Sequence, residues 1–280
     1  MNILGGVNLF IKIFLRSLRG LKSIRLLAPF LILGMIKVLM LLAFVMFYLP
    51  PVHKILVPVL SYFYSSTVLH YPRYYLVLPH IYNFTSSYII ELIFGIALYA
   101  AAVFAIGADY LKEKGGFSEG LRTAKQSLLT LVPAWLIKTA IVFTFFSFGG
   151  KLMFSLLSDY SYKEFFGYFI IQMGGLLLSA ALIFTIPAII LHRQSLKNAI
   201  ISSLKIFGRF PAFSFILLIV PWFITMPVRY LFYTKTYIIL SSFNHTILIY
   251  LLLADIILEI IANYLLYAGI TYFYLERTES

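Results

Sequence analysis

The chain has 280 residues, of which 62% are hydrophobic and only 11% are charged. Soluble domains carry about 25% charged residues, so this composition excludes an ordinary soluble protein and indicates an integral membrane protein. The net charge of +12 does not indicate a nucleic-acid partner, because the cations cluster between apolar runs, and the lack of cysteine excludes disulfides and thiol chemistry.

Residues 1–25 form a basic segment that precedes the first apolar run. Three of its cations fall with Ser23 on one helical face, while phenylalanine and leucine residues fall on another. Its five cations are Lys12, Arg16, Arg19, Lys22 and Arg25. We predict an amphipathic helix in the cytoplasmic interface, with these cations on anionic lipid headgroups.

The apolar runs predict six transmembrane helices in a single all-α transmembrane domain over residues 1–280. The predicted spans are 26–49, 88–108, 128–148, 167–191, 212–232 and 247–274. Between the first two lies a loop over 51–87 that is rich in tyrosine and contains Pro58, Pro72 and Pro79. Because proline interrupts helices and aromatic side chains favour the headgroup level, we predict short helices lying on the outer face. Pro187, Pro221 and Pro227 should kink the fourth and fifth spans or mark their ends.

The distribution of lysine and arginine predicts the orientation. Fourteen of these residues lie on the side of the N-terminal segment. The opposite side has six, which are Lys54, Arg73, Lys151, Lys163, Arg229 and Lys235. The positive-inside rule therefore predicts that both termini are cytoplasmic, and we expect the plasma membrane of a prokaryote.

A threefold internal repeat is a further hypothesis. Three times, a basic segment containing serine leads to a proline and then to an outward and a return span. The three prolines are Pro29, Pro133 and Pro211. Repeated hairpins are common in transporters, although any six-helix protein with basic inner loops would show a similar pattern.

Loops around the fourth and fifth spans resemble known families. The run Ile186–Leu191, followed by Ser195–Ala199 and Ser202–Lys205, resembles a pattern in uncharacterised prokaryotic six-helix families related to the membrane domain of glycerophosphodiester phosphodiesterases. That resemblance covers about a third of the chain. The N-terminal segment and first span are similar to sulfate-permease-like proteins of the CysZ type, but the central region does not match them. Neither resemblance implies a catalytic or binding residue.

Ionisable residues within the predicted spans are the main functional signal. Asp255, Glu259 and Asn263 follow one another at intervals of four residues, which places them on one face of the last helix. The other members of the predicted network are Lys37, Glu91 and Lys138. A charged side chain at the centre of a span costs about 2.5–3.5 kcal/mol, so we expect internal pairing, with Glu259 between the two lysines and Asp255 nearer the outer face.

Two functions fit this network. It could form a polar pathway through which the protein transports, or assists transport of, a small solute, ion or lipid. Alternatively, the ion pairs could be structural, and the charged face and an alanine ridge at Ala97, Ala101 and Ala105 could bind a partner membrane protein or a second copy. The histidine spacing matches no zinc motif and we find no catalytic motif, so we expect no metal, no cofactor and no enzymatic activity.

Overall fold

The computed structural model describes residues 3–65, 67, 69–71, 73–156, 163–234, 236–242 and 245–278. Within these ranges the chain is helical, with no strand. The α-helices are α1 (Ile3–Gly20), α2 (Ile24–Val45), α3 (Val52–Phe63), α4 (Tyr74–Phe84), α5 (Ile96–Leu111), α6 (Phe117–Gln126), α7 (Leu128–Leu156), α8 (Lys163–Leu182), α9 (Thr185–His192), α10 (Leu196–Arg209), α11 (Pro211–Thr234), α12 (Thr236–Ser242) and α13 (His245–Thr278). A π-helical segment, π1 (Thr85–Gly95), joins α4 to α5.

Six helices of the described chain are long and apolar enough to cross a membrane, which confirms the predicted number and supports a multi-pass membrane protein. They are Ile24–Val45, Tyr74–Leu111, Leu128–Leu152, Phe169–His192, Pro211–Phe232 and His245–Thr278. The second begins earlier than predicted because α4 and π1 continue into α5. Pro58 and Pro79 lie inside α3 and α4, so neither proline ends a helix. Pro72 and Lys235 lie outside the described residues, as does the side chain of Lys163.

The chain divides into two compact units, and the single transmembrane domain over residues 1–280 stays a prediction. Unit 1 comprises Met1–Pro29, Ile96–Val220 and Tyr264–Ser280, and unit 2 comprises Phe30–Gly95 and Pro221–Asn263. Helices α2 and α13 contribute residues to both units. Within each unit, segments distant in the sequence pack together.

In unit 1, the alanine-rich helix α5 packs closely against α6 and α9. Ala101 is fully buried, and a methyl group added at Gly120 of α6 would lie 2.6 Å from the Ala101 carbonyl oxygen. Small residues permit such close approach of helix backbones. The predicted alanine ridge is therefore occupied, at least at Ala101 and Ala105, by contacts within the chain.

Alanine substitutions at two glycines should have opposite effects on stability. Gly120→Ala should lower the free energy of unfolding by about 1–3 kcal/mol, because the new methyl group meets backbone that cannot rotate away. Gly208→Ala in α10 should raise it by about 0.5–1 kcal/mol, since nothing lies within 4 Å of the added methyl and alanine favours a helix. Thermal unfolding of the purified variants measures both, and a Gly120→Ala variant at least as stable as wild type would contradict the close contact.

The fourth predicted span is broken between α8 and α9. Pro187 lacks an N–H group, and its ring would clash with the carbonyl of residue 183 in a continuous helix. The chain leaves the helix at residues 183–184, as expected for a kink. The buried hydroxyl of Ser203 on α10 accepts a hydrogen bond from the Phe184 N–H (3.1 Å) and donates one to the Ala181 carbonyl (2.8 Å). Pro221 and Pro227, in contrast, lie within the continuous helix α11.

Helix α1 contacts other parts of unit 1 through two of its predicted lipid-binding cations. Lys12 pairs with Glu276 at 3.0 Å, and Glu276 also accepts a hydrogen bond from the Tyr110 hydroxyl. The Arg16 guanidinium lies 4.3 Å from the ring centre of Tyr110 and 4.9 Å from that of Tyr272. Arg16 is therefore partly used in packing, whereas the other four cations are exposed.

Aromatic residues of the predicted outer loop build much of the core of unit 2. Tyr74, Tyr75 and Tyr82 are buried against residues of α2 and α13, and Tyr74 stacks on Phe47 with ring centres 4.6 Å apart. The Tyr74 hydroxyl donates to the Phe44 carbonyl at 2.9 Å. These tyrosines therefore do not lie at the surface, whereas Tyr62 of α3 is 85% exposed.

Candidate functional site

Six polar side chains of unit 2 meet in what we call the charged cluster. Its members are Lys37 on α2, Glu91 on π1, Arg229 on α11, and Asp255, Glu259 and Asn263 on α13. Four separate helical segments, all within span-length helices, therefore contribute to one polar site. The stretches around these residues are apolar, which makes each charged member costly unless it is paired.

Glu259 lies at the centre of the charged cluster. Its Oε1 is 2.6 Å from the Lys37 ammonium and accepts a hydrogen bond of 3.5 Å from Asn263. Its Oε2 is 3.7 Å from the Arg229 guanidinium. One carboxylate thus contacts two cations and an amide.

Two further carboxylates complete the cluster. Asp255 accepts a hydrogen bond of 2.9 Å from Nε of Arg229, and the Glu91 carboxylate is 3.6 Å from the Lys37 ammonium. Asp255, Glu259 and Asn263 lie on one face of α13, as their spacing predicts. Arg229 contacts both carboxylates, and Asn263 contacts Glu259. Each cation therefore bridges two carboxylates.

Burial differs between the two cations. Only 2% of the Lys37 side chain is exposed, compared with 31% of the Arg229 side chain. Among the carboxylates, Asp255 is 5% exposed and Glu91 is 22% exposed. The cluster therefore has an enclosed part at Lys37 and a more accessible part at Arg229 and Glu91.

A void of about 10 Å³ lies beside the enclosed part of the cluster. Lys37, Glu259 and Asn263 supply its polar lining, and Gly34 on α2 lies close to Ile260 on the opposite wall. A water molecule needs about 10–15 Å³ of such volume and two to four polar partners. The void therefore offers room for a single water molecule in contact with Glu259.

The cluster contains one member, Arg229, that the network predicted from the sequence lacks. Arg229, which we had counted among the outer loop cations, lies inside α11 and supplies the second cation. Lys138, the second lysine of the predicted network, lines a cavity in unit 1, and its pairing with Glu259 stays a prediction. The position of Arg229 within the predicted span 212–232 was the available signal for it.

The π-helical segment was not anticipated. Hydrogen bonds from residue i to i+5 widen a helix, so the direction of a side chain on π1 cannot be read from α-helical spacing. Extended π-helix is rare, and its short form occurs frequently at functional sites. Here the segment carries Glu91 to Lys37.

No metal-binding group of three or more histidine or acidic residues occurs in the described parts of the chain. Comparisons with family models, curated proteins and solved structures find no match. The two family resemblances noted from the loops therefore stay predictions.

Proposed function

We propose that this multi-pass protein transports a small solute or ion, or assists such transport, and that the charged cluster takes up and releases a proton during the cycle. The observation that carries the proposal is the imbalance of charge in the cluster. Lys37 and Arg229 provide two positive charges, whereas Glu91, Asp255 and Glu259 provide three negative ones.

A cluster whose only role is to join helices needs no surplus carboxylate. Removing an unbalanced charge from water costs several kcal/mol even after the surroundings relax. A single bound proton would bring the five groups to neutrality. The surplus carboxylate thus favours a site that exchanges a proton over a purely structural set of ion pairs.

The proton is better held by Asp255, which is buried and contacts Arg229 alone among the cations, because two cations and an amide stabilise the Glu259 anion. Glu259 is the member that couples this proton to the rest of the cluster. It is shared between both cations, so its charge state affects every ion pair of the cluster. It also borders the void that has room for one water molecule. A water molecule there could relay a proton towards the more accessible side of the cluster.

The alternative function, a non-transporting subunit that binds partner helices, has support from one observation. The Lys37–Glu259 pair is short and almost completely enclosed, as in a structural link between α2 and α13. The alanine ridge gives this alternative less support, because Ala101 and Ala105 are already buried in the chain.

The experiment compares wild-type protein with Glu259→Gln in liposomes that contain a pH-sensitive dye. Gradients of small inorganic ions, amines and carboxylates are imposed in turn. We expect at least one gradient to drive proton movement in the wild type and the same gradient to give the rate of empty liposomes in Glu259→Gln. The matched control, Lys54→Met, alters an exposed cation of unit 2 and should behave as wild type.

Two results would contradict proton-coupled transport that depends on Glu259. The first is proton movement at the rate of empty liposomes for every gradient tested with wild-type protein. The second is an equal rate in wild type and Glu259→Gln. The first result would favour the accessory role, and the second would show that transport does not depend on Glu259.

The membrane environment is part of the proposal. Lys12, Arg19, Lys22 and Arg25 are exposed and are suited to anionic headgroups on the cytoplasmic side. Together with the excess of inner cations, they support an orientation with both termini cytoplasmic, and the plasma membrane of a prokaryote is the location we expect.

A further inference from the structure

A second polar feature lies within unit 1. A cavity of about 50 Å³ is bounded by residues of α7, α8, α9, α11 and α13, all of which belong to span-length helices. Its polar lining includes Lys138, Ser179 and Thr185, and the rings of Trp135 and Tyr267 form part of its wall. The remaining lining residues are leucine, isoleucine and alanine.

Thr185 carries a polar atom without a partner. Its side chain is 5% exposed, and its hydroxyl makes no hydrogen bond in the structure. Buried hydroxyl groups in native proteins nearly always have a partner, either from the protein or from a bound molecule. The break before α9 brings this residue to the cavity, so the hydroxyl is available to a ligand there.

The charge of the lining favours an anion. Lys138 is the only charged residue among the described residues that line the cavity, and no carboxylate is among them. It lies ten residues after Leu128, about 15 Å along the helix from the start of that span. An ammonium at that position favours a counter-charge over either a cation or an apolar ligand.

We propose that this cavity binds one small monovalent anion. Lys138 supplies the positive charge, and the hydroxyls of Thr185 and Ser179 donate hydrogen bonds to the anion. Since one water needs about 10–15 Å³, a cavity of about 50 Å³ accepts an ion of one to four heavy atoms, such as a halide, nitrate or formate. A larger anion such as gluconate does not fit.

The site does not depend on the proposed function of the charged cluster. Its residues all belong to unit 1, and its ligand carries the charge opposite to that of a proton. A failure of the proton experiment would leave the anion site untouched, and the reverse also holds.

Trp135 provides a direct probe, because the chain has only two tryptophans. In a Trp222→Phe background, iodide is titrated against purified protein in zwitterionic nanodiscs, with sodium gluconate holding the ionic strength constant. We expect quenching of Trp135 to saturate. Chloride, which does not quench, should restore the fluorescence by competition.

Variants in the same background identify the groups that bind the anion. Lys138→Met should lose the saturable phase, whereas Lys151→Met, which removes an exposed lysine from the same helix, should keep it. Thr185→Val should weaken iodide binding about tenfold, because a hydrogen bond to a charged group is lost. In gluconate, Thr185→Val should melt no earlier than its parent, since valine replaces a hydroxyl that has no partner.

If Lys138→Met does not fold, Thr185→Val still tests the proposal. Quenching that rises linearly with iodide and is not relieved by chloride would overturn the proposal. Saturable quenching of unchanged affinity in Thr185→Val, or in folded Lys138→Met, would also overturn it.

Discussion

Lys37→Met is expected to lower the free energy of unfolding by about 3–5 kcal/mol, the cost of removing one partner from a buried ion pair. Lys37 is 2% exposed and lies 2.6 Å from Glu259 and 3.6 Å from Glu91. Methionine fills a similar volume without the charge. Two carboxylates would then lose their closest cation in surroundings that water enters poorly.

The effect should depend on the charge of Glu259. Glu259→Gln by itself leaves two cations and two other carboxylates, so it should change stability far less than Lys37→Met. In the double variant Lys37→Met/Glu259→Gln, the surplus returns to one negative charge, as in the wild type. We therefore expect the free energy of unfolding of the double variant to exceed that of Lys37→Met by at least about 2 kcal/mol. This difference is within the range of coupling energies measured between contacting residues.

Equilibrium unfolding in mixed micelles, followed by tryptophan fluorescence, measures these differences. Lys54→Met is the control, because Lys54 is exposed and a surface substitution should lie within about 0.5 kcal/mol of wild type. If Lys37→Met and Lys54→Met were equally stable, Lys37 would not carry a charge that the cluster needs. Additive effects of Lys37→Met and Glu259→Gln would argue against direct pairing.

Much of the charged cluster could be predicted because ionisable residues are rare within apolar helices. Asp255, Glu259 and Asn263 occupy one stretch of a single helix, so their common face depends only on helical geometry. Lys37 needed a counter-charge for the same reason that any buried cation does. Local spacing and the cost of burying charge were sufficient for these four residues.

The choice of partners could not be predicted, because it depends on which helices pack together. Lys138 and Arg229 are both cations of apolar helices, and nothing in their local sequence distinguishes which one meets Glu259. Arg229 lies five residues before the end of α11, where a long side chain could equally extend to the headgroups. The contribution of Glu91 depends on π-helical geometry, for which the residues Thr85–Gly95 show no recognisable pattern.

At the break between α8 and α9, the sequence likewise predicts the local disturbance of the helix but not the tertiary contacts that stabilise it. Pro187 predicts that the helix is disturbed about four residues earlier, and the chain does leave the helix there. The sequence does not predict what satisfies the released backbone groups. Within a span they cannot rely on bulk water, so another part of the protein must supply partners.

Ser203→Ala should therefore destabilise the protein by about 2–4 kcal/mol. The hydroxyl of Ser203 is fully buried and satisfies both the Phe184 N–H and the Ala181 carbonyl. Leaving one buried polar group without a partner costs about 1–3 kcal/mol, and alanine would leave two. A methyl group cannot form either hydrogen bond. Because Pro187 prevents a continuous helix, regular helical hydrogen bonds cannot take their place at the break.

Ser202→Ala provides the matched control for this prediction, because it removes a hydroxyl from the adjacent residue of α10. Ser202 donates to the side chain of Gln194, and both residues are only partly buried, so water can replace the lost bond. We expect a loss of about 0.5–1 kcal/mol for Ser202→Ala, measured by thermal unfolding together with Ser203→Ala. Equal losses in the two variants would mean that the backbone at the break does not depend on Ser203. A larger loss in Ser203→Ala, with α8 and α9 exchanging amide hydrogens faster than in the wild type, would show that one hydroxyl from α10 holds the broken span in place.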